Sequence, residues 1–163
     1  MPTPTYDLLE SVTLATAASS VTFSSIDQTF KDLVIVSTGF ASAVSAYTYG
    51  WLNGDTTNGN YSYVALDATG GAFSFTGNSP FLGLVYAPAD GNQALNINQI
   101  LDYSATDKHK SILNRFNNGG TRTQATVLRW ANTAAITSIE LNHGSGTDTY
   151  AAGCTFNLYG IAG

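Results

Sequence analysis

The imidazole and thiol groups that could serve as base or nucleophile are few: two histidines, His109 and His143, and a single cysteine, Cys154. Nucleophilic hydrolysis needs a Ser or Cys beside a base, often on a G-x-S-x-G elbow, and no such motif occurs. His143-Gly144-Ser145-Gly146 forms a glycine-rich turn too mobile to hold a proton-transfer geometry, so both imidazoles are expected at the surface. Cys154 falls on the apolar side of an alternating segment, where a small hydrophobe fits and a thiolate is disfavoured. With no second cysteine there is no intrachain disulfide, and no thiolate cluster for zinc or iron–sulfur.

Glycoside cleavage requires two facing carboxylates. Asp55, Asp67, Asp90, Asp102, Asp107 and Asp148 all fall in or near predicted loops, where Asp commonly serves its own backbone, and no spacing brings two together. The oxygen-rich run from Asn53 to Asn60 carries one carboxylate and lacks the Glu that closes an EF-hand loop. It reads as an Asx-rich turn rather than a calcium site. No catalytic, cofactor or metal site is expected, and no enzymatic activity.

Other residues point to contact. Tyr47, Tyr49 and Trp51 share one face of a predicted strand, and Tyr61 and Tyr63 are expected opposite or diagonal to them across the turn from Asn53 to Asn60. Exposed, such a ladder offers stacking planes for sugars or a flat partner; buried, it is cross-strand packing worth about 0.2–1 kcal/mol per pair. Burial in the fold or at a subunit interface is the expectation. Five of the six basic residues, Lys108, Lys110, Arg115, Arg122 and Arg129, lie in one segment of an acidic chain. They form either a patch for an acidic protein or a solvated strand face. Pro2 and Pro4 favour an extended arm before Tyr6. The candidate interface residues are therefore Pro2, Pro4, Tyr6, Tyr47, Tyr49, Trp51, Tyr61, Tyr63, Lys108, Lys110 and Arg115.

The elements that must position these residues are strands. Apolar residues recur with period two, interrupted about every ten residues by Gly, Asn, Asp and Ser. Cys154, Phe156 and Leu158 alternate with Thr155, Asn157 and Tyr159, while Val34, Ile35 and Val36 suit a strand covered on both faces. Strands are predicted near 6–14, 20–24, 31–40, 46–52, 61–66, 72–76, 81–86, 94–103, 110–116, 124–130, 135–142 and 151–159. Asn53-Gly54 and Asn58-Gly59 bracket an expected hairpin connection. The fold class read from this is all-β: an antiparallel β-sandwich, jelly-roll-like, of about ten short strands, with residues 1–5 as an arm and 6–163 as one domain.

Composition sets the outer limits. The chain has 163 residues, 44% of them hydrophobic, which suffices to close a core and excludes wholesale disorder. Only 10% are charged, so solubility rests on Thr, Ser, Asn and Gly. A net charge of -5 argues against phosphate-backbone binding, so no direct nucleic-acid partner is expected. The opening residues lack the basic and apolar regions of a signal peptide, and no run approaches the ~20 apolar residues of a membrane span. A chain made in the cytoplasm, with no membrane partner, is expected.

Three strings resemble a family of small virion proteins of tailed bacteriophages, many of them cyanophages and other aquatic phages. The first is Tyr6-Asp7-Leu8-Leu9-Glu10-Ser11-Val12-Thr13-Leu14 with Ser20 to Val34. The second is Asn53-Gly54-Asp55 followed by Asn60-Tyr61-Ser62-Tyr63. The third is Trp130 to Leu141 with Gly153 to Ile161. The family usually has Pro where Asp27 stands and a small residue such as Ser where Cys154 stands; residues 67 to 129 match nothing specific. The resemblance implies a jelly-roll-like virion component. In some phages this is a homotrimeric decoration or cement protein on the head exterior, bound to the major capsid protein, and in others a tail-associated piece. A tail receptor- or carbohydrate-binding module is the alternative.

Overall fold

A computed structural model describes residues 5–39, 46–69, 72–85, 93–117, 122–143 and 149–163. Pro2 and Pro4 lie outside the described residues, as do Asp90 and Asp148. The strands are β1 (Tyr6–Thr13), β2 (Ser20–Phe23), β3 (Asp32–Gly39), β4 (Ala46–Leu52), β5 (Tyr61–Thr69), β6 (Ala72–Gly77), β7 (Phe81–Val85), β8 (Ala94–Leu101), β9 (Lys110–Asn117), β10 (Arg122–Trp130), β11 (Ile139–His143) and β12 (Thr155–Ile161). Among the described residues one 3-10 turn, Asn58–Asn60, precedes β5. No helix among the described residues is long and apolar enough to cross a membrane.

These strands form two antiparallel sheets. The larger has eight strands in the order β1-β12-β3-β8-β9-β10-β5-β6, and the smaller has four in the order β2-β11-β4-β7. From β2 to β5 the chain alternates between the sheets, as a jelly roll does. Each strand occupies a segment that the period-two pattern predicts, with β11 and β12 starting about four residues later than expected.

Between the sheets, Phe23, Leu52, Ile139 and Leu141 of the small sheet meet Leu33, Ile35, Ile100, Ile112 and Leu128 of the large one, all buried. Burying each such side chain stabilises by about 1.5–3 kcal/mol. Cys154 is part of this core, as expected. His143 is also buried, contrary to the expectation of a surface imidazole. It is the last residue of β11, and its ring sits edge-on to Tyr150 with centroids 5.2 Å apart.

Toward the opposite end of the large sheet the inner face turns polar. Asn114 Nδ2 donates to Asn98 Oδ1 (3.0 Å) and to Asn96 Oδ1, and Asn96 Nδ2 donates to the Leu82 carbonyl of β7. Asp67 is fully buried between Arg122, whose Nη2 lies 2.7 Å from Oδ2, and Gln124, whose Nε2 donates at 2.8 Å.

The connection from β4 to β5 is a corner rather than the predicted hairpin. Asn53 and Gly54 both take positive φ, and the Asp55 amide donates to the Leu52 carbonyl, a type I′ turn. β4 nevertheless pairs with β11 and β7, whereas β5 pairs with β10 and β6. Asp55 drives the crossover: its Oδ2 accepts from Trp130 Nε1 of the large sheet at 2.8 Å and from Asn60 Nδ2 at 2.8 Å, while Oδ1 accepts from the Thr57 amide. Burial alone would push this carboxyl up, but the hydrogen bonds from Trp130, Asn60 and Thr57 outweigh it and hold it below the usual carboxylate range.

Candidate functional site

The corner disposes of the aromatic ladder. Tyr61 is 1% exposed and stacks on Trp130 at 6.5 Å, with its hydroxyl donating to the Asp55 carbonyl at 2.8 Å. It is a core residue and leaves the interface set. Tyr63 is half-buried, its ring lying over Gly77, where a Cβ would stand 2.6 Å from the hydroxyl oxygen. Tyr49 and Trp51 are half-buried on the small sheet, opposite Asn142 and Glu140. The backbone of Tyr47 pairs with Leu84 in the same sheet. Tyr61 and Tyr63 lie in the other sheet from Tyr49 and Trp51, so these four described residues form no continuous aromatic platform.

The basic segment also divides. Lys110 is 1% exposed, its ammonium donating to the carbonyls of Ala105 (2.5 Å), Lys108 (3.2 Å) and Thr133 (3.3 Å), and burial pulls its pKa down. It is removed from the interface set because its charge is used to tie loops together. Lys108 is exposed and pairs with Asp102 at 3.3 Å. Arg122 is committed to Asp67. Arg129 donates to His109 Nδ1 at 3.2 Å. Arg115 is exposed, with no ion-pair or hydrogen-bond partner among the described residues.

Arg115 stands at the centre of a surface that the aromatic and charge patterns do not reveal. On the outer side of the large sheet the register aligns Leu8, Tyr159, Val34, Gln99, Leu113, Val127, Val64 and Thr76 in one row across all eight strands. The next row carries Ile97, Arg115, Ala125 and Leu66. Val64, Leu66, Leu101, Leu113 and Val127 are between 38% and 63% exposed among the described residues. An open groove of about 510 Å³ crosses β8, β9, β10 and β5, lined by Leu66, Ala68, Leu95, Ile97, Arg115 and Ala125 among others. Leu113, Val127 and Val64 are neighbours on adjacent strands, so these exposed apolar side chains are contiguous rather than scattered.

The outward positions of β8, β9, β10 and β5 include Arg115 and Arg129 and no carboxylate. The one carboxylate beside the groove, Asp67, points inward and is held by Arg122 and Gln124. Among the described residues no cluster of His, Cys, Asp and Glu is placed to hold a metal ion.

No protein-family model and no curated protein matches the chain. Solved structures similar to it include alginate lyase Aly36B. A mutant of that lyase in complex with alginate tetrasaccharide matches at 15% identity and a TM-score of 0.38, covering 93% of this chain and 79% of that one. The lyase alone matches at 12% identity and a TM-score of 0.33, over 93% and 77%. The expectation that this chain has no enzymatic activity is corrected accordingly, because the structures it is similar to are those of an enzyme. Similarities of this size assign no activity to this chain.

Proposed function

We propose that the chain is a virion structural protein of a tailed bacteriophage, a decoration (cement) protein that binds the assembled head as a homotrimer and contacts the major capsid protein. The strings at 6–14 and 20–34, at 53–55 and 60–63, and at 130–141 and 153–161 supply the class by resemblance. The observation that carries the reading is the uncovered apolar band on the outer side of the large sheet, Val64, Leu66, Leu113 and Val127, around the unpaired Arg115. Completing the burial of a half-exposed Leu or Val stabilises by roughly 1 kcal/mol, half the value for full burial. A neighbour covering the band therefore gains several such increments while desolvating few ions, in a chain with only 10% charged residues. Threefold repetition multiplies modest contacts with the shell through valency.

Immunogold labelling of purified virions with an antibody against the chain tests this. Label over the head supports a decoration protein. Label confined to the tail overturns the head assignment in favour of a tail-associated binding module, and unlabelled particles overturn both.

A further inference from the structure

We propose that Asn58 is a site of spontaneous modification, where water converts the amide through a cyclic imide into aspartate and isoaspartate, and that the fold withholds Asn53 from the same reaction. The chain contains three Asn-Gly pairs, Asn53-Gly54, Asn58-Gly59 and Asn118-Gly119. In such a pair no Cβ shields the glycine nitrogen, so it can reach the preceding carboxamide, which makes the asparagine thermolabile. By residue type the three pairs are equivalent. Asn118 lies outside the described residues, and the structure separates the other two.

Asn53 is clamped. Its Oδ1 accepts from the backbone amides of Thr137 (2.8 Å) and Ser138 (3.1 Å), and its Nδ2 donates to the Ala135 carbonyl at 2.8 Å. Swinging Cγ onto the Gly54 nitrogen requires the side chain to leave these partners. Asn58 opens the 3-10 turn before β5 and is exposed together with Gly59. Neither the Asn58 carboxamide nor the Gly59 N–H has a hydrogen-bond partner among the described residues. A Cβ on Gly59 would meet no described atom within 4 Å. Nucleophile and electrophile are therefore free to approach each other.

The reaction balances with water as the co-reactant. The deprotonated Gly59 nitrogen bonds to Asn58 Cγ, the Cγ–Nδ2 bond breaks, and Nδ2 leaves as ammonia, taking up through solvent the proton that Gly59 lost. Water then opens the ring. Breaking the bond from nitrogen to Cγ yields aspartate; breaking the bond to the main-chain carbonyl carbon yields isoaspartate, whose chain runs through Cβ and Cγ. Nothing is oxidised or reduced. The isoaspartyl product bears on the corner, because the Asn60 amide donates to the Thr57 carbonyl (3.0 Å) across the 58–59 linkage while Asn60 Nδ2 holds Asp55 Oδ2 at 2.8 Å. An extra chain carbon lengthens the ring that the first bond closes and loosens the grip on Asp55.

The test incubates the full chain at mildly alkaline pH, digests it with a protease that cuts before aspartate, and reads amide and acid forms by mass. Cuts at Asp32, Asp55 and Asp67 place Asn53 in fragment 32–54 and Asn58 in fragment 55–66. Conversion in 55–66 is expected at least about tenfold faster than in 32–54, with fragment ions locating the new acid at Asn58 rather than Asn60. In urea, which releases the clamp, the two fragments are expected to convert within about threefold of one another. Equal rates in the folded chain, faster conversion at Asn53, or a difference that persists in urea overturns the proposal. Gly59→Ala, which fits the open space, is expected to slow Asn58 at least about tenfold with unchanged circular dichroism, and undiminished conversion in this variant also overturns it. Ageing is expected to lower the wild-type Tm by about 2–5 °C more than that of Gly59→Ala; equal shifts overturn the effect on the corner.

Discussion

Asp55→Ala is the sharpest perturbation of the corner that lets the chain pass from one sheet to the other. The carboxylate receives the Trp130 indole N–H, the Asn60 amide and the Thr57 backbone N–H. Trp130 is 1% exposed, so removing its acceptor strands a buried donor at a cost of about 1–3 kcal/mol. Losing the Asx turn adds about 0.5–1.5 kcal/mol. The expected destabilisation is about 2–4 kcal/mol, which in a domain of this size lowers Tm by roughly 5–15 °C. Thermal and urea unfolding followed by far-UV circular dichroism read it directly, and Asp55→Asn, which keeps one acceptor, should fall between the variant and the wild type. The carboxylate is held below its usual pKa, so its contribution is complete above the unfolded-state pKa and is lost as pH falls through the folded one. The gap between wild type and Asp55→Ala should therefore narrow in acid. A Tm within 1 °C of wild type, or a gap independent of pH down to about 2, would refute the assigned role.

Two further outcomes follow from buried polar groups. Arg122→Met removes the bidentate cation from the fully buried Asp67 and is expected to cost about 3–5 kcal/mol in urea unfolding; adding Asp67→Leu should recover at least half, and a more damaged double variant would contradict this. At high pH, burial pushes the Tyr61 hydroxyl up to about 12, and those of Tyr103 and Tyr150 upward as well. Their contribution is full below the ordinary value near 10 and lost as pH rises toward the folded values. Tm should fall steeply between about pH 10 and 12, with Tyr61→Phe shallower by roughly 1–3 kcal/mol over that range; parallel curves for the two proteins would exclude it.

The strands were legible because alternation is set by the two faces of a sheet, and Cys154–Leu158 shows it cleanly, while the run Leu33–Ile35 is buried on both faces. The site was not, for a physical reason. On β9 the inward residues are Lys110, Ile112, Asn114 and Phe116 and the outward ones Ser111, Leu113, Arg115 and Asn117, so neither face reads as the apolar one. Polar inward residues such as Asn96, Asn98, Asn114, Gln124 and Asp67 hid the fact that the outward Leu66, Leu113 and Val127 are left uncovered. Asn53-Gly54 correctly signals a type I′ turn, but the turn is local, and the long-range pairing of β5 with β10, joined by the bond from Trp130 to Asp55, places the next strand in the other sheet. The same long-range packing removes Tyr61 and Lys110 from the surface, although their types suit an interface.

The central claim is that the outer side of the large sheet is where this chain meets its neighbours, and chemical accessibility measures that most directly. A cysteine placed at Val127, in the band, can be compared with one at Thr22, exposed on the small sheet, in the purified assembly. The native Cys154 is buried and contributes little labelling. The account predicts that maleimide reacts with Val127→Cys at least tenfold more slowly than with Thr22→Cys. Equal rates at the two positions would contradict it.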